Sequence, residues 1–307
     1  MVLAGADPSG VRIDFFSSLT RCPAKAPASR RISADGRIRP VTIGRGTMPA
    51  FKSARAYREF AQQVTRSSRY VRGLDSEEFL RTLLREAQSR TEIMPAGAVF
   101  WRAQLGHDWE PMYDGGKHVD DVPCPLLPKR MKPLTDRARE GRANPKGIPY
   151  LYLSTHRETA MAEVRPWLAS IVSVGQFKTL REIRVANCTS DKPRQRFFWR
   201  AIPPEEWDDA VWADIDDAFS QPVMPSDDQP EYVPTQIVAE IFKMNGFDAV
   251  AYRSALGSGH NLALFDVEAA VLTNCSIFDV KRLEFQFEEA GNPYFVTEHY
   301  EKGPNQE

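Results

Sequence analysis

The chain lacks the sequence patterns that mark several common kinds of site. Its 4 cysteines are scattered without a CxxC pair and its 5 histidines have no metal-ligand spacing, so we predict neither a zinc site nor a disulfide framework. Walker A and GxGxxG patterns do not occur, which leaves the common nucleotide-binding folds without support. No apolar run approaches the ~20 residues that span a bilayer. The N-terminus has no charged segment followed by an apolar stretch, so we expect a cytoplasmic protein.

The chain also has no excess of charge of either sign. The chain has 307 residues and a formal net charge of −1, so its overall electrostatics do not favour nucleic acid or an anionic membrane as a partner. A hydrophobic content of 42% and a charged content of 26% are ordinary for a globular protein with a substantial core.

The first part of the chain divides into two predicted segments. Residues 1–50 are rich in Arg, Ala, Pro, Ser and Gly, which indicates a loosely ordered arm. Residues 51–95 carry two helical patterns and are predicted to form a small helical extension. The apolar faces of these two helices are Tyr57, Phe60, Ala61 and Val64 in the first, and Phe79, Leu80, Leu83, Leu84 and Ala87 in the second.

The main domain is predicted to cover residues 96–290, followed by a tail at 291–307. Its expected elements are a strand at 98–103, a loop-like region at 104–140, a strand at 177–188, a helix from Pro234, and buried strands at 249–252 and 261–265. Residues 189–231, with an acidic run at 205–217, are expected to be a polar surface excursion with one or two short helices. Strands interleaved with helices at irregular spacing predict an α+β fold and not a doubly wound sheet.

A central stretch, residues 141–166, combines a loop, a strand and a helix. The strand at 150–154 alternates leucine with tyrosine, which places the two residue types on opposite faces. Thr155, followed three residues later by Glu158, predicts a capping box at the start of the helix. Pro166 ends that helix, because proline in a helix interior costs roughly 3 kcal/mol.

Two charged residues stand where their local environment is unfavourable for a charge. Glu163 falls near the end of the predicted helix, where the macrodipole disfavours a carboxylate by about 0.3–1 kcal/mol. It is therefore a candidate for chemistry, the alternative being a solvated side chain beside Arg165. Arg102 interrupts an otherwise apolar strand, and its alternative is a salt bridge at a sheet edge.

A series of short motifs resembles the RES domain, a family named for an Arg, a Glu and a Ser. The matching residues are Phe100-Trp101-Arg102-Ala103, Gly141-Arg142-Ala143-Asn144, Leu151-Tyr152-Leu153, Thr159-Ala160, Ala162-Glu163-Val164, Tyr232, Pro234-Thr235-Gln236, Gly246-Phe247-Asp248, Tyr252-Arg253-Ser254 and Asn261-Leu262-Ala263-Leu264-Phe265. The resemblance covers about residues 98–270. It leaves the N-terminal extension outside, and Ala103 stands where some RES proteins have a tyrosine.

The resemblance implies the site residues. Arg102, Glu163 and Ser254 would be the name-giving, catalytic trio, and each of them would also contact NAD. Tyr152 matches the tyrosine of the family's active site, and Asn144 is assigned to the NAD site with it. No metal is implied, because nicotinamide leaves as a neutral molecule, and no bound cofactor is implied, because NAD is the substrate.

The resemblance also implies a fold similar to the ADP-ribosyltransferases and a reaction on NAD. RES toxins of toxin–antitoxin pairs consume NAD by phosphorolysis or hydrolysis, and some ADP-ribosylate a protein. The acceptor of ADP-ribose is therefore left open between water, inorganic phosphate and a protein. A module that binds NAD or ADP-ribose without turnover is the alternative from another class. A small helix-turn-helix antitoxin is the implied partner.

Overall fold

The structure, a computed structural model, describes residues 48–134, 136–191, 202–221, 232–284 and 287. The predicted arm lies outside these ranges apart from residues 48–50, and the predicted tail at 291–307 lies wholly outside them. None of the helices in the described part of the chain has the length and apolar character needed to span a bilayer.

The described residues form six α-helices, one 3₁₀ turn and ten β-strands. The helices are α1 (Ala56–Arg66), α2 (Leu74–Ser89), α3 (Pro128–Met131), α4 (Arg157–Glu163), α5 (Trp207–Ser220) and α6 (Val233–Met244), and the 3₁₀ turn is Pro204–Glu206. The strands are β1 (Thr91–Met94), β2 (Val99–Leu105), β3 (Asp108–Asp114), β4 (Lys117–Cys124), β5 (Leu151–Ser154), β6 (Ile171–Thr179), β7 (Ile183–Asn187), β8 (Ala249–Arg253), β9 (His260–Leu264) and β10 (Ala270–Asp279).

Eight of these strands form one sheet in the order β1-β7-β8-β9-β5-β2-β6-β10. Within this sheet β7 and β8 run parallel, and the other neighbours are antiparallel. The prediction of an α+β fold preceded by a small helical part is therefore confirmed. β1 belongs to the segment assigned to the extension, yet it forms one edge of the main sheet.

The pairing between neighbouring strands is weakest between β2 and β5, a position that we call the seam. β5 pairs with β9 over four residues and β2 pairs with β6 over seven, but β2 and β5 pair through Trp101 and Ser154 alone. Strands that separate after a single pair leave main-chain groups and side chains free to face a ligand. The seam therefore marks the place in the sheet where a pocket can open.

Helices α1, α2, α5 and α6 share one hydrophobic cluster with residues from one face of the sheet. These residues include Tyr150, both Val250 and Tyr252 of β8, and Ala263 of β9. Phe60 of α1 stacks on Phe79 of α2 with ring centroids 4.8 Å apart. The guanidinium of Arg58 donates two hydrogen bonds, of 2.7 and 2.8 Å, to the carboxylate of Asp214 on α5. The N-terminal helices are thus fastened to the domain by apolar packing and by a largely buried ion pair.

Residues 205–217 form helical structure, as expected, but their predicted surface position is wrong. They run from the 3₁₀ turn into α5, in which Asp214 and Asp216 are buried together with Val211, Trp212 and Ile215. Buried carboxylates must be paired, and their partners, Arg58 and Arg253, lie far away in the sequence. Parts of the predicted excursion, residues 192–201 and 222–231, lie outside the described residues.

Two further assignments need correction. The region 104–140, predicted to be loop-like, contains the hairpin β3–β4, whose strands are exposed along almost their whole length. The single strand predicted at 177–188 is two strands, β6 and β7, separated by a turn at residues 180–182. Both errors arise where the sequence lacks the expected marker: an apolar alternation in the hairpin, and a Gly, Pro or Asn in the turn.

The predicted capping box of α4 does not form. The N-cap residue is His156, and no side chain caps the helix. Thr155 instead accepts a hydrogen bond of 3.0 Å from the main-chain N–H of His260, which ties the start of the helix to β9. The end of the helix is as predicted, because α4 stops at Glu163.

Candidate active site

A cavity of about 520 Å³ opens at the seam. Its walls come from β2, β5, β8, β9, α4, the start of α6 and the loop before β5: Trp101, Arg102, Ala103, Gln104, Leu105, Gly141, Arg142, Tyr152, Leu153, Ser154, Ala160, Glu163, Val164, Tyr232, Tyr252 and Asn261. A cavity of this size suits a nucleotide-sized ligand. It brings together Arg102, Tyr152 and Glu163 from segments that are far apart in the sequence.

Glu163 presents its carboxylate to the cavity from the last position of α4. Its Oε1 accepts hydrogen bonds from the hydroxyl of Ser254 at 2.8 Å and from the amide Nδ2 of Asn261 at 2.6 Å. Within the described part of the chain, Oε2 accepts no hydrogen bond and Glu163 forms no ion pair with Arg165. The carboxylate is therefore not a solvated partner of Arg165: one oxygen is fixed and the other is available to a ligand.

Ser254 supports Glu163 from outside the set of cavity-lining residues. Its hydroxyl donates to Glu163 and accepts a 3.1 Å hydrogen bond from the N–H of Leu256. The preceding residue is held by α5, because the buried carboxylate of Asp216 accepts from both the main chain and the side chain of Arg253. The acidic helix thus fixes the end of β8 from which Ser254 reaches Glu163.

Arg102 lies on an interior strand of the sheet and not at an edge. Its Nη1 donates a 3.0 Å hydrogen bond to the carbonyl oxygen of Tyr152 across the seam. Its Nε is buried and has no hydrogen-bond partner, and no carboxylate of the described ranges pairs with the guanidinium. Burial lowers the pKa of Arg102 to about 10, so the group is still charged at neutral pH. A buried cation without a carboxylate favours an anionic ligand.

Tyr152 and Asn144 form a fixed pair beneath the cavity. The Tyr152 hydroxyl donates to Asn144 Oδ1 at 2.7 Å and accepts from the N–H of Ala143 at 3.0 Å. Burial raises the pKa of Tyr152 well above its ordinary value, so the phenol stays neutral. Asn144 is buried and its Nδ2 donates to the carbonyl oxygens of Arg139, Pro145 and Ile148, the nearest at 2.8 Å. Its side chain is engaged by its own loop, not exposed in the cavity.

The loop at 141–144 is held against Tyr152 by close contact and by α6. A side chain at Gly141 would place a Cβ 2.6 Å from the Tyr152 hydroxyl, so only glycine fits there. Gln236 of α6 donates to the carbonyl oxygens of Gly141 and Asn144 at 3.0 and 3.1 Å. Thr235 donates to the carbonyl of Arg142 at 2.6 Å. These bonds explain why the Pro-Thr-Gln start of α6 belongs to the same site as the loop.

Sequence reasoning assigned no site role to several residues that the structure places here. Asn261 of β9 donates to Glu163, and its Oδ1 accepts a 2.6 Å hydrogen bond from Ser154. Trp101, Tyr232 and Tyr252 add aromatic surface to the cavity wall. The sequence offered one indication that Asn261 belongs to the site: it is the first residue of the last matching motif. Its contact with Glu163, 98 residues earlier in the chain, follows only from the fold.

The arrangement suits a ligand that carries an anionic group and develops positive charge. Glu163 offers an oriented carboxylate, Arg102 an unpaired cation, and the tyrosines and Trp101 offer aromatic faces. Among the described residues, no group of three or more His, Cys, Asp or Glu side chains could hold a metal ion.

One comparison with known proteins identifies a family. A family model of the RES domain matches residues 124–288, which contain Tyr152, Glu163 and Ser254, whereas Arg102 lies before the matched range. No curated protein matches the chain. Among solved structures, the M. tuberculosis MbcT–MbcA toxin–antitoxin complex is similar at 15% identity, covering 64% of this chain and 92% of the other, with a TM-score of 0.36.

Proposed function

This chain belongs to the RES domain family, and from that premise we propose that it cleaves the bond between nicotinamide and ribose in NAD. The observation that supports the proposal most is the state of Glu163. Two donors fix one oxygen of its carboxylate, and the other oxygen has no partner among the described residues of a nucleotide-sized cavity.

The proposed reaction needs little more than oriented charge. The glycosidic C–N bond breaks with its electron pair going to nicotinamide, which leaves as a neutral molecule. Positive charge then develops on the ribose and is stabilised by the carboxylate of Glu163. An acceptor with a lone pair forms the new bond at the ribose carbon and loses a proton. A fixed carboxylate needs no reorganisation as this charge appears, and that is the source of the rate gain.

The other site residues take distinct roles in this proposal. Arg102 holds a phosphate oxygen of the substrate, since a guanidinium offers a planar fork of donors. Tyr152 provides an aromatic face for nicotinamide or ribose, and Asn144 positions Tyr152. Ser254 and Asn261 orient the carboxylate of Glu163 through their hydrogen bonds.

The proposal is tested by incubating the full chain with NAD and measuring nicotinamide release, with and without inorganic phosphate. We expect release from the wild-type protein and none above background from Glu163→Gln. Glu158→Gln is the matched control, because it removes a carboxylate from the same helix at an exposed position. Release that needs phosphate identifies a phosphorylase, and release without it identifies a glycohydrolase. ADP-ribose found on protein identifies a transferase. Absence of release from the wild-type protein contradicts the proposal.

We extend the proposal to a cellular role as the toxin of a toxin–antitoxin pair, active in the cytoplasm on the NAD pool. The support is membership of the RES family together with the complete Arg–Glu–Ser trio. Expression without an antitoxin is then expected to stop bacterial growth while intracellular NAD falls. Growth arrest with unchanged NAD would point to modification of a protein instead. A small helix-turn-helix protein is the expected antitoxin.

A further inference from the structure

A second cavity, also of about 520 Å³, adjoins the first. The two cavities share the walls Arg102, Gln104, Gly141 and Tyr152. The rest of the second cavity is formed mainly by the segment between α3 and β5. We call it the basic cavity for the residues that line it: Arg102, Arg130, Lys132, Arg137 and Arg139, with one carboxylate, Glu140.

Part of this positive charge has no protein partner. Lys132 pairs with Glu268 at 2.9 Å and Arg137 pairs with Asp136 at 3.1 Å. Arg130 and Arg139 are exposed, and neither guanidinium forms an ion pair with any residue that the structure describes. Clustered cations that the fold leaves unpaired raise the local concentration of anions. The rim of the basic cavity is therefore suited to an anionic ligand.

Arg102 extends the same charge into the protein interior. Its buried Nε lacks a hydrogen-bond partner within the described chain, although its Nη1 donates to Tyr152. Because Arg102 lines both cavities, an anion in the basic cavity can approach a guanidinium that also faces the glycosidic site. Phosphate is the anion that best suits several guanidinium groups, since its oxygens accept bidentate hydrogen bonds.

We propose that the basic cavity is a subsite for a phosphate dianion, held by Arg130 and Arg139 at the rim and by Arg102 further in. The group has two possible sources, the 2′-phosphate of NADP or a free phosphate ion. The placement beside the glycosidic site rests on the proposed function, but binding of the phosphate does not require turnover.

The test uses direct binding to the full chain. Inorganic phosphate, ADP-ribose and ADP-ribose 2′-phosphate are titrated against the wild-type protein and the double variant Arg130→Gln/Arg139→Gln. A second double variant, Arg66→Gln/Arg69→Gln, is the matched control, because it removes the same charge from exposed arginines outside both cavities. Thermal unfolding of each variant checks that it is folded.

We expect the Arg130/Arg139 variant to lose at least about tenfold in affinity for a phosphate probe, the loss expected when charge-assisted hydrogen bonds are removed. The control variant keeps wild-type affinity. If the source is NADP, the wild-type protein prefers ADP-ribose 2′-phosphate over ADP-ribose and the variant loses that preference. If the source is free phosphate, inorganic phosphate binds, the variant loses it, and no such preference appears.

Equal affinities of the two double variants for all three probes would overturn the inference. Failure of the proposed function gives a different result: phosphate still binds through Arg130 and Arg139, but the protein releases no nicotinamide. The two ideas can therefore fail separately.

Discussion

Replacing Glu163 by glutamine gives the sharpest test of the site, because shape is kept and charge is removed. The carboxylate oxygen Oε1 accepts two hydrogen bonds, from Ser254 and Asn261. A glutamine amide oxygen can accept both, but a bond to a neutral acceptor is weaker by about 1 kcal/mol than one to a charged acceptor. The two bonds together then lose about 2 kcal/mol.

One correction sets the net change in stability. Removing a negative charge from the C-terminal end of α4 returns about 0.3–1 kcal/mol. We therefore expect Glu163→Gln to lower the free energy of unfolding by about 1–2 kcal/mol, which corresponds to a fall in Tm of about 2–6 °C for a domain of this size. The helix dipole alone predicts a slight gain in stability. The hydrogen bonds to Ser254 and Asn261 reverse that sign.

The assay combines thermal unfolding with nicotinamide release, measured on the same preparation of Glu163→Gln. The expected result is a small fall in Tm and complete loss of release, with Glu158→Gln unchanged in release. Wild-type release from a folded Glu163→Gln protein would refute the electrostatic role. A fall in Tm above ~10 °C would refute the stability reasoning, since two weakened hydrogen bonds cannot account for it.

Four other predictions concern the candidate site and the attachment of the N-terminal helices. Arg102→Lys is expected to lower kcat/KM by about 100-fold or more, because lysine cannot provide the bidentate hold of a guanidinium; near-wild-type turnover would make this arginine structural. Ser254→Ala should reduce nicotinamide release about tenfold, because it removes one hydrogen bond that orients the carboxylate of Glu163. The same variant should restore growth at low induction, and full toxicity would show that this serine is not part of the site. Asp214→Ala removes two charge-assisted hydrogen bonds of the Arg58 guanidinium beside the core and should lower the free energy of unfolding by about 3 kcal/mol in urea titrations, with KM unchanged. Removal of residues 48–90, which carry both N-terminal helices, should make the protein insoluble.

Periodicity in the sequence predicted the elements whose apolar faces are regular. Both N-terminal helices and the tyrosine-bearing strand follow from spacing alone, because each buries one face against a core. The end of α4 at Glu163 follows from Pro166, which cannot continue the helix. The alternation at 150–154 is as predicted: Leu151 and Leu153 lie in one hydrophobic cluster, whereas Tyr150 lies in another and Tyr152 packs against that second cluster.

Elements defined by distant partners could not be predicted in this way. The acidic composition of α5 indicates solvent until Arg58 and Arg253 are known to face it, 156 and 37 residues away from their carboxylates. The hairpin β3–β4 has no buried face, so no alternation marks it. Strand β10 was not predicted either, and most of its residues are exposed or half-buried at the sheet edge. The carboxylate's contact with Asn261 likewise depends on β9 lying beside β5.

The single residue pair between β2 and β5 has a mechanical consequence. It divides the sheet into a block of five strands and a block of three, joined at this point by one pair of residues and by the Arg102 side chain. A ligand in the cavity at the seam touches both blocks and acts as a clamp between them. Occupancy should then be visible without any chemistry, as slower amide hydrogen exchange along the facing edges of β2 and β5. Without a ligand we expect the two blocks to move relative to each other at the seam, and we expect bound substrate to restrict that motion.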